Sequence, residues 1–176
     1  TTGAGVSEAR IPDGDANFSD AAEPTRGAAN RVDVALDVVI NEIMYHPIDD
    51  DVEKEYIELY NRGTAAVDIS GWRFSDGINF TIPASTSIAG DAYLVIARNP
   101  QYIVDTYGLP GVKVIGPTTP EALEGFGILS DEGERVTLSD ARGNIASTVP
   151  YYDGGEWPQW ADGGGCSMVL IVARSS

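Results

Sequence analysis

The sequence predicts an all-β protein that folds as an antiparallel β-sandwich. Short apolar or alternating segments recur between residues 36 and 172 at a spacing of roughly 8–12 residues, as is typical of sandwiches. Glycine, asparagine and aspartate separate these segments, and 20 glycines and 10 prolines in 176 residues favour turns over long helices. Hydrophobic residues form 43% of the chain, which is enough apolar material for one domain with a substantial core.

The first predicted strands have the clearest patterns. Residues 36–46 (LDVVINEIMYH) are rich in β-branched and apolar side chains, which indicates a largely buried strand. Residues 55–61 (EYIELYN) alternate, so Ile57 and Leu59 share one face of the next strand. Further strands are predicted at residues 67–70, 72–74, 78–83, 86–90, 92–98, 112–116, 133–140, 144–152 and 166–172. The expected core consists of Val38, Ile40, Ile43, Ile57, Leu59, Trp72, Phe74, Phe80, Ile82, Leu94, Ile96, Val136, Leu138, Met168 and Leu170.

One short helix is predicted at residues 100–107, where the chain crosses from one strand to the next. Asn99 can cap its first turn, Pro100 suits the first helical position, and Gly108 can end it. The face expected to pack on the sandwich carries Ile103, Val104 and Tyr107.

The charge of the chain restricts its partners. Eleven Lys and Arg residues against 27 Asp and Glu residues give a net charge of −16. A surface this acidic repels phosphate backbones and anionic lipid, so we expect no nucleic-acid partner. No apolar stretch reaches 18 residues, so we also expect no membrane insertion.

Two motifs resemble the lamin tail domain family. One is the first strand with the residues that follow it, VVINEIMYHP at 38–47, and the other is EYIELYNRG at 55–63 followed by DISGW at 68–72. Residues 133–140 and 161–171 are similar to the closing strands of that family. The resemblance extends over about residues 36–172 and implies an immunoglobulin-like fold for the sandwich.

The resemblance also implies a role. Bacterial domains of this kind occur in large secreted or cell-surface proteins, and an acidic chain without a heptad rod fits that type better than a nuclear lamin. We therefore do not carry over DNA or chromatin binding. The expected function is that of a non-catalytic accessory module, a spacer, adhesion or targeting domain, at the cell surface or outside the cell. Its expected partners are neighbouring domains of the parent protein and a polysaccharide or cell-surface protein.

The predicted domain organisation has three parts. Residues 1–33 are rich in Ala, Gly, Asp, Asn and Pro, and are predicted to be an irregular N-terminal extension or the exit of a preceding module. Residues 34–173 form the sandwich, and residues 174–176 form a tail. The chain starts without Met and residues 1–10 lack an apolar signal segment, so we expect a longer precursor whose signal peptide lies outside it.

The sequence offers little for catalysis. His46 is its sole histidine and Cys166 its sole cysteine, and both are expected to be structural, a strand-end imidazole and a small buried thiol. A Cys–His pair, or a carboxylate pair such as glycosidases use, are the remaining routes to an enzyme. We predict that the chain is not an enzyme and requires no cofactor.

Cation binding is the sharper chemical prediction, and calcium is the candidate ion. Alternate oxygen-bearing side chains in a short loop are the ligands that calcium prefers. One such loop supplies Asp13, Asp15, Asn17, Ser19 and Asp20, although the glycine and the terminal glutamate of an EF-hand are missing from it. A second acidic run, DDDVEKE at residues 49–55, offers Asp49 and Asp51. The alternative for both segments is a solvated loop.

A second candidate binding site is the aromatic segment at residues 151–165. Flat rings among Gly, Pro and Asp can stack on sugars, which makes a carbohydrate-binding module the alternative function. The candidate rings are those of Tyr151, Tyr152, Trp157 and Trp160. The competing interpretation is that the tryptophans cover one end of the sandwich.

Overall fold

The computed structural model describes residues 7–9, 19–21, 37–155, 157 and 159–169. Its first strands are β1 (Ser7–Ala9), β2 (Ser19–Ala21), β3 (Val38–Met44), β4 (Tyr56–Asn61), β5 (Val67–Asp68), β6 (Arg73–Asp76), β7 (Phe80–Thr81) and β8 (Ser87–Ile88). They are followed by β9 (Ala92–Ala97), helix α1 (Pro100–Tyr107), β10 (Lys113–Ile115), helix α2 (Pro120–Phe126), β11 (Gly133–Ser139), β12 (Ile145–Tyr152) and β13 (Met168–Val169). Two single-turn 3-10 helices span Val52–Lys54 and Gln159–Ala161.

Two larger sheets form the sandwich. One has the strand order β10-β9-β4-β3-β13 and the other has the order β12-β11-β6-β7. A single hydrophobic cluster joins Leu59 and Leu94 of the first sheet to Phe74 and Leu138 of the second. The predicted all-β, immunoglobulin-like sandwich is therefore confirmed.

Alternation along the strands places the core as predicted. In β4 the side chains of Ile57, Leu59 and Asn61 are buried, whereas the intervening ones are half-buried on the outer face. The predicted core residues are buried with two exceptions. Phe80 is only half-buried, and Leu170 lies outside the described residues.

The predicted helix 100–107 is confirmed with both of its caps. The Asn99 side chain accepts from the Tyr102 amide, and Gly108 ends the helix with a left-handed φ of 58°. Only one of the three residues predicted to pack on the sandwich is buried: Ile103 contacts the outer face of β9. Val104 and Tyr107 are about half exposed.

Strand β10 corrects the expectation of a wholly antiparallel sandwich. It pairs in parallel with β9, with Val114 opposite Val95. The cause is the crossover through α1, after which the chain re-enters the sheet and runs in the same direction as β9.

Helix α2 corrects the prediction of a single helix. It begins as α1 does, with a capping side chain, Thr119, before a proline at the first helical position. The seven-residue segment buries only Phe126, whose ring lies edge-on to Phe80 at 5.6 Å. A helix this short has too little periodicity to stand out in a sequence.

The terminal segments are described only in part. Strands β1 and β2 pair with each other in antiparallel fashion, within the extension predicted to be irregular. The rest of residues 1–33 and the tail 174–176 lie outside the described residues, so the predicted domain boundaries stay predictions. In the described part of the chain, no helix is long and apolar enough to cross a membrane.

Candidate functional site

The sole histidine lies just after β3 and is held by two carboxylates. His46 Nδ1 lies 2.6 Å from Asp162 Oδ1, and Nε2 lies 2.9 Å from Asp50 Oδ1. The Asp162 hydrogen bond is the main cause that raises the pKa of His46, and burial partly opposes it. A carboxylate oxygen lies within hydrogen-bond distance of each ring nitrogen, so neither nitrogen is directed at a serine or cysteine nucleophile. His46 instead ties the end of β3 to the loop before β13.

The sole cysteine differs from its prediction. Cys166 is exposed rather than buried, because it precedes β13 and does not lie within that strand as expected. Its backbone amide donates to the Trp160 carbonyl at 3.2 Å. With the imidazole of His46 already occupied, this geometry contains no Cys–His catalytic pair.

The acidic run at residues 49–55 divides its charges among separate partners. Asp49 forms an ion pair with Lys54, and the Asp51 side chain accepts from the Glu53 amide at 3.2 Å, which caps a 3-10 helix. The other three carboxylates point elsewhere: Asp50 to His46, Glu53 to Arg98, and Glu55 to the Leu129 amide. Cations and amides of the protein therefore relieve the repulsion that suggested a metal.

The calcium prediction stays a prediction for both acidic segments. Among the described residues, no three His, Cys, Asp or Glu side chains are grouped as metal ligands. Ser19 and Asp20 lie in β2, while Asp13, Asp15 and Asn17 lie outside the described residues. Cation binding at residues 13–20 therefore stays a prediction.

Glu55 is a buried carboxylate that the sequence analysis did not single out. Its side chain is only 2% exposed, and Oε2 accepts from the Leu129 amide at 2.9 Å. Burial raises its pKa to about 7, although the Leu129 hydrogen bond and the nearby Arg98 act in the opposite direction. The signal was present, because Glu55 is in phase with the core residues Ile57 and Leu59.

The aromatic segment is divided between core and surface. Tyr151 is fully buried, and its ring packs 4.5 Å from that of Tyr45. Its hydroxyl donates to the Ser130 carbonyl and is bonded to Glu134 Oε1, each at 2.9 Å. Tyr151 was expected in an exposed loop, but it ends β12 on the core side and offers no face to a sugar.

The other three rings lie on or near the surface. Trp160 is 74% exposed and Tyr152 is 55% exposed. Trp157 is half-buried against the core and lines a small cavity of about 100 Å³ together with residues of β3, β12 and β13. Its ring lies 5.7 Å from that of Tyr152, at 57°. Trp157 therefore packs against the core, whereas Tyr152 and Trp160 remain available to a ligand.

Comparison with known proteins gives one finding on the family. The model of the Lamin Tail Domain family matches residues 32–153. This range contains every strand from β3 to β12, and it ends before Trp157 and Trp160. No curated protein matches the sequence significantly.

Proposed function

Because this chain belongs to the lamin tail domain family, we propose that residues 34–173 act as a non-catalytic module of a larger extracellular or cell-surface protein. Domains of this family are immunoglobulin-like and typically non-catalytic. The module would act as a spacer, adhesion or targeting domain through the contacts of its surface. Any catalytic activity would belong to neighbouring modules of a bacterial parent protein.

The observation that carries the non-catalytic role is that a carboxylate contacts each ring nitrogen of His46. An imidazole whose two nitrogens are hydrogen-bonded to Asp50 and Asp162 acts as a structural clamp. The buried Glu55 is likewise occupied by a backbone amide, 2% exposed and out of reach of a substrate. The net charge of −16 favours a soluble module that does not self-associate.

Two measurements test this proposal. The purified protein is assayed against esterase, glycosidase, nuclease and peptidase substrates, and we expect no turnover. A turnover that His46→Gln abolishes, while the equally folded Cys166→Ser variant retains it, would contradict the non-catalytic role. Fractionation of cells that produce the parent protein should place it at the surface or in the medium, and confinement to the cytosol would contradict the location.

Carbohydrate binding is the second candidate, and the exposure of Tyr152 and Trp160 favours it. Flat rings presented to solvent bury substantial apolar area when a sugar stacks on them. The test is pull-down on a panel of insoluble polysaccharides with the double variant Tyr152→Ala, Trp160→Ala. Tyr93→Ala is a matched control, since it removes a ring that is 41% exposed on the outer face of the other sheet. Binding that survives the double variant would remove this candidate.

A further inference from the structure

A groove lies on the outer face of the five-stranded sheet, and none of the four candidate sugar-binding rings lines it. It runs between α1 and residues 165–167, and its volume is about 430 Å³. Outward-facing side chains of three neighbouring strands form its floor: Glu42 of β3, Glu58 of β4 and Val95 of β9. The groove therefore combines a charged floor with the side of a helix.

The two carboxylates of the floor are direct neighbours. Glu42 and Glu58 are cross-strand partners, and both are half-buried. Like charges in opposing positions destabilise a sheet. Burial, with the charge of Glu42 as a further cause, raises the pKa of Glu58.

The hydrogen bonds of this pair come from neutral groups. Glu42 Oε1 accepts from the Tyr56 hydroxyl at 2.6 Å and from the Ser167 hydroxyl. Glu58 Oε1 accepts from Asn41 Nδ2 at 2.8 Å. Ion pairs found elsewhere in the described residues use other acids, and none of them includes Glu42 or Glu58. Two carboxyl groups thus meet in one groove, and no described lysine or arginine forms an ion pair with either of them.

The walls of the groove are apolar and aromatic. Ile103 and Leu109 line it on the helix side. Tyr107 is 50% exposed at its rim, with its ring 6.2 Å from that of Tyr56 in an edge-to-face arrangement. Such walls suit the methylene stem of a long side chain, and the tyrosine faces attract a cation.

We propose that this groove binds a basic side chain, arginine in preference to lysine, presented by a polypeptide partner. The occupant follows from charge complementarity with Glu42 and Glu58, since a cation between them removes their repulsion. A planar guanidinium has five donors and can bond two carboxylates while it stacks on an aromatic ring, whereas an ammonium is a point charge. This proposal depends neither on the location of the protein nor on the exposed rings of Tyr152 and Trp160.

The first test measures binding of acetylated, amidated tetra-arginine by calorimetry at physiological salt. Glu42→Gln with Glu58→Gln keeps the shape of the floor and removes its charge. The matched control is Glu121→Gln with Glu124→Gln, which removes the same charge from the exposed side of α2. We expect about tenfold weaker binding in the groove variant, the usual effect of losing a charge-assisted contact, and little change in the control. Tetra-lysine should bind more weakly than tetra-arginine. An equal loss of affinity in both double variants would show non-specific binding to the acidic surface and would overturn the proposal.

The second test needs no substitution and so does not depend on the folding of a variant. Cys166 is the sole cysteine, is exposed, and lines the groove. Saturating tetra-arginine should slow its alkylation by iodoacetamide severalfold, and tetra-glutamine should not. An unchanged rate would overturn the proposal. So would the same protection from calcium chloride alone, which would indicate a metal site instead.

Discussion

Glu55 should make this protein less stable as the pH rises through neutrality. Its native pKa is about 7, against an ordinary 4.5, because burial disfavours the charged form. Between those two values the folded protein binds more protons at Glu55 than the unfolded chain does. The free energy of unfolding therefore falls with increasing pH in this window. The stabilisation that protonated Glu55 contributes to the folded state is fully present below about pH 4.5 and is lost above about pH 7.

The size of the effect follows from the two pKa values. Their separation, at about 1.4 kcal/mol per pH unit, corresponds to about 3 kcal/mol. Glu55→Gln should recover most of this energy at pH 8, because the amide carries no charge and its oxygen can still accept from the Leu129 amide. At pH 5 the variant and the unmodified protein should differ little.

The assay is urea unfolding at about pH 5, 6, 7 and 8, with the difference in free energy between variant and unmodified protein taken at each pH. This difference separates the pH-dependent contribution of Glu55 from the contributions of the other titrating groups. Glu121→Gln on the exposed side of α2 is the control, and its difference should not vary with pH in the same way. A flat difference for Glu55→Gln, or one that favours the unmodified protein at pH 8, would refute the reasoning.

Three further predictions concern the core, the clamp and the cation. Leu59→Ala should lower the free energy of unfolding by about 2–5 kcal/mol, because Leu59 is fully buried between the sheets, and a near-zero change in urea unfolding would contradict its placement. The ring of His46 should titrate above 6.5 in an NMR titration, and Asp162→Asn should bring it down, since the Asp162 hydrogen bond is the main cause of the raised pKa. The stability that this clamp supplies is present below pH 6.5 and is lost as the pH rises through the native pKa. Thermal melts in EDTA and in millimolar calcium test the predicted cation: a rise in Tm that Asp15→Ala abolishes and Asp51→Ala keeps would assign calcium to residues 13–20, the reverse pattern would assign it to residues 49–55, and an unchanged Tm would contradict calcium binding.

Much of the fold was predictable because its signals are local. The alternation of Ile57 and Leu59 fixes the inner face of β4, and the caps Asn99 and Gly108 fix both ends of α1. The parallel pairing of β10 was not predicted, because strand direction depends on where the crossover lands and not on the composition of the strand. Helix α2 was not predicted because its seven residues are too few to show a helical periodicity.

The candidate site was less predictable because it depends on contacts between distant segments. Asp162 reaches His46 across 116 positions of the chain, and no spacing rule anticipates this pair. Tyr151 and Tyr152 are adjacent in sequence, yet one is core and the other surface, as the alternation of β12 requires. The pairing of Glu42 with Glu58 depends on a register shift after Ile40, a bulge that the sequence does not display.

The central claim is that this domain acts through its surfaces, and NMR mapping of backbone amides during titration with tetra-arginine tests it most directly. We predict that the perturbed amides cluster in β3, β4, α1 and residues 165–167, around the groove formed over Glu42 and Glu58. Perturbations spread evenly over the acidic surface, or none at all, would contradict the account.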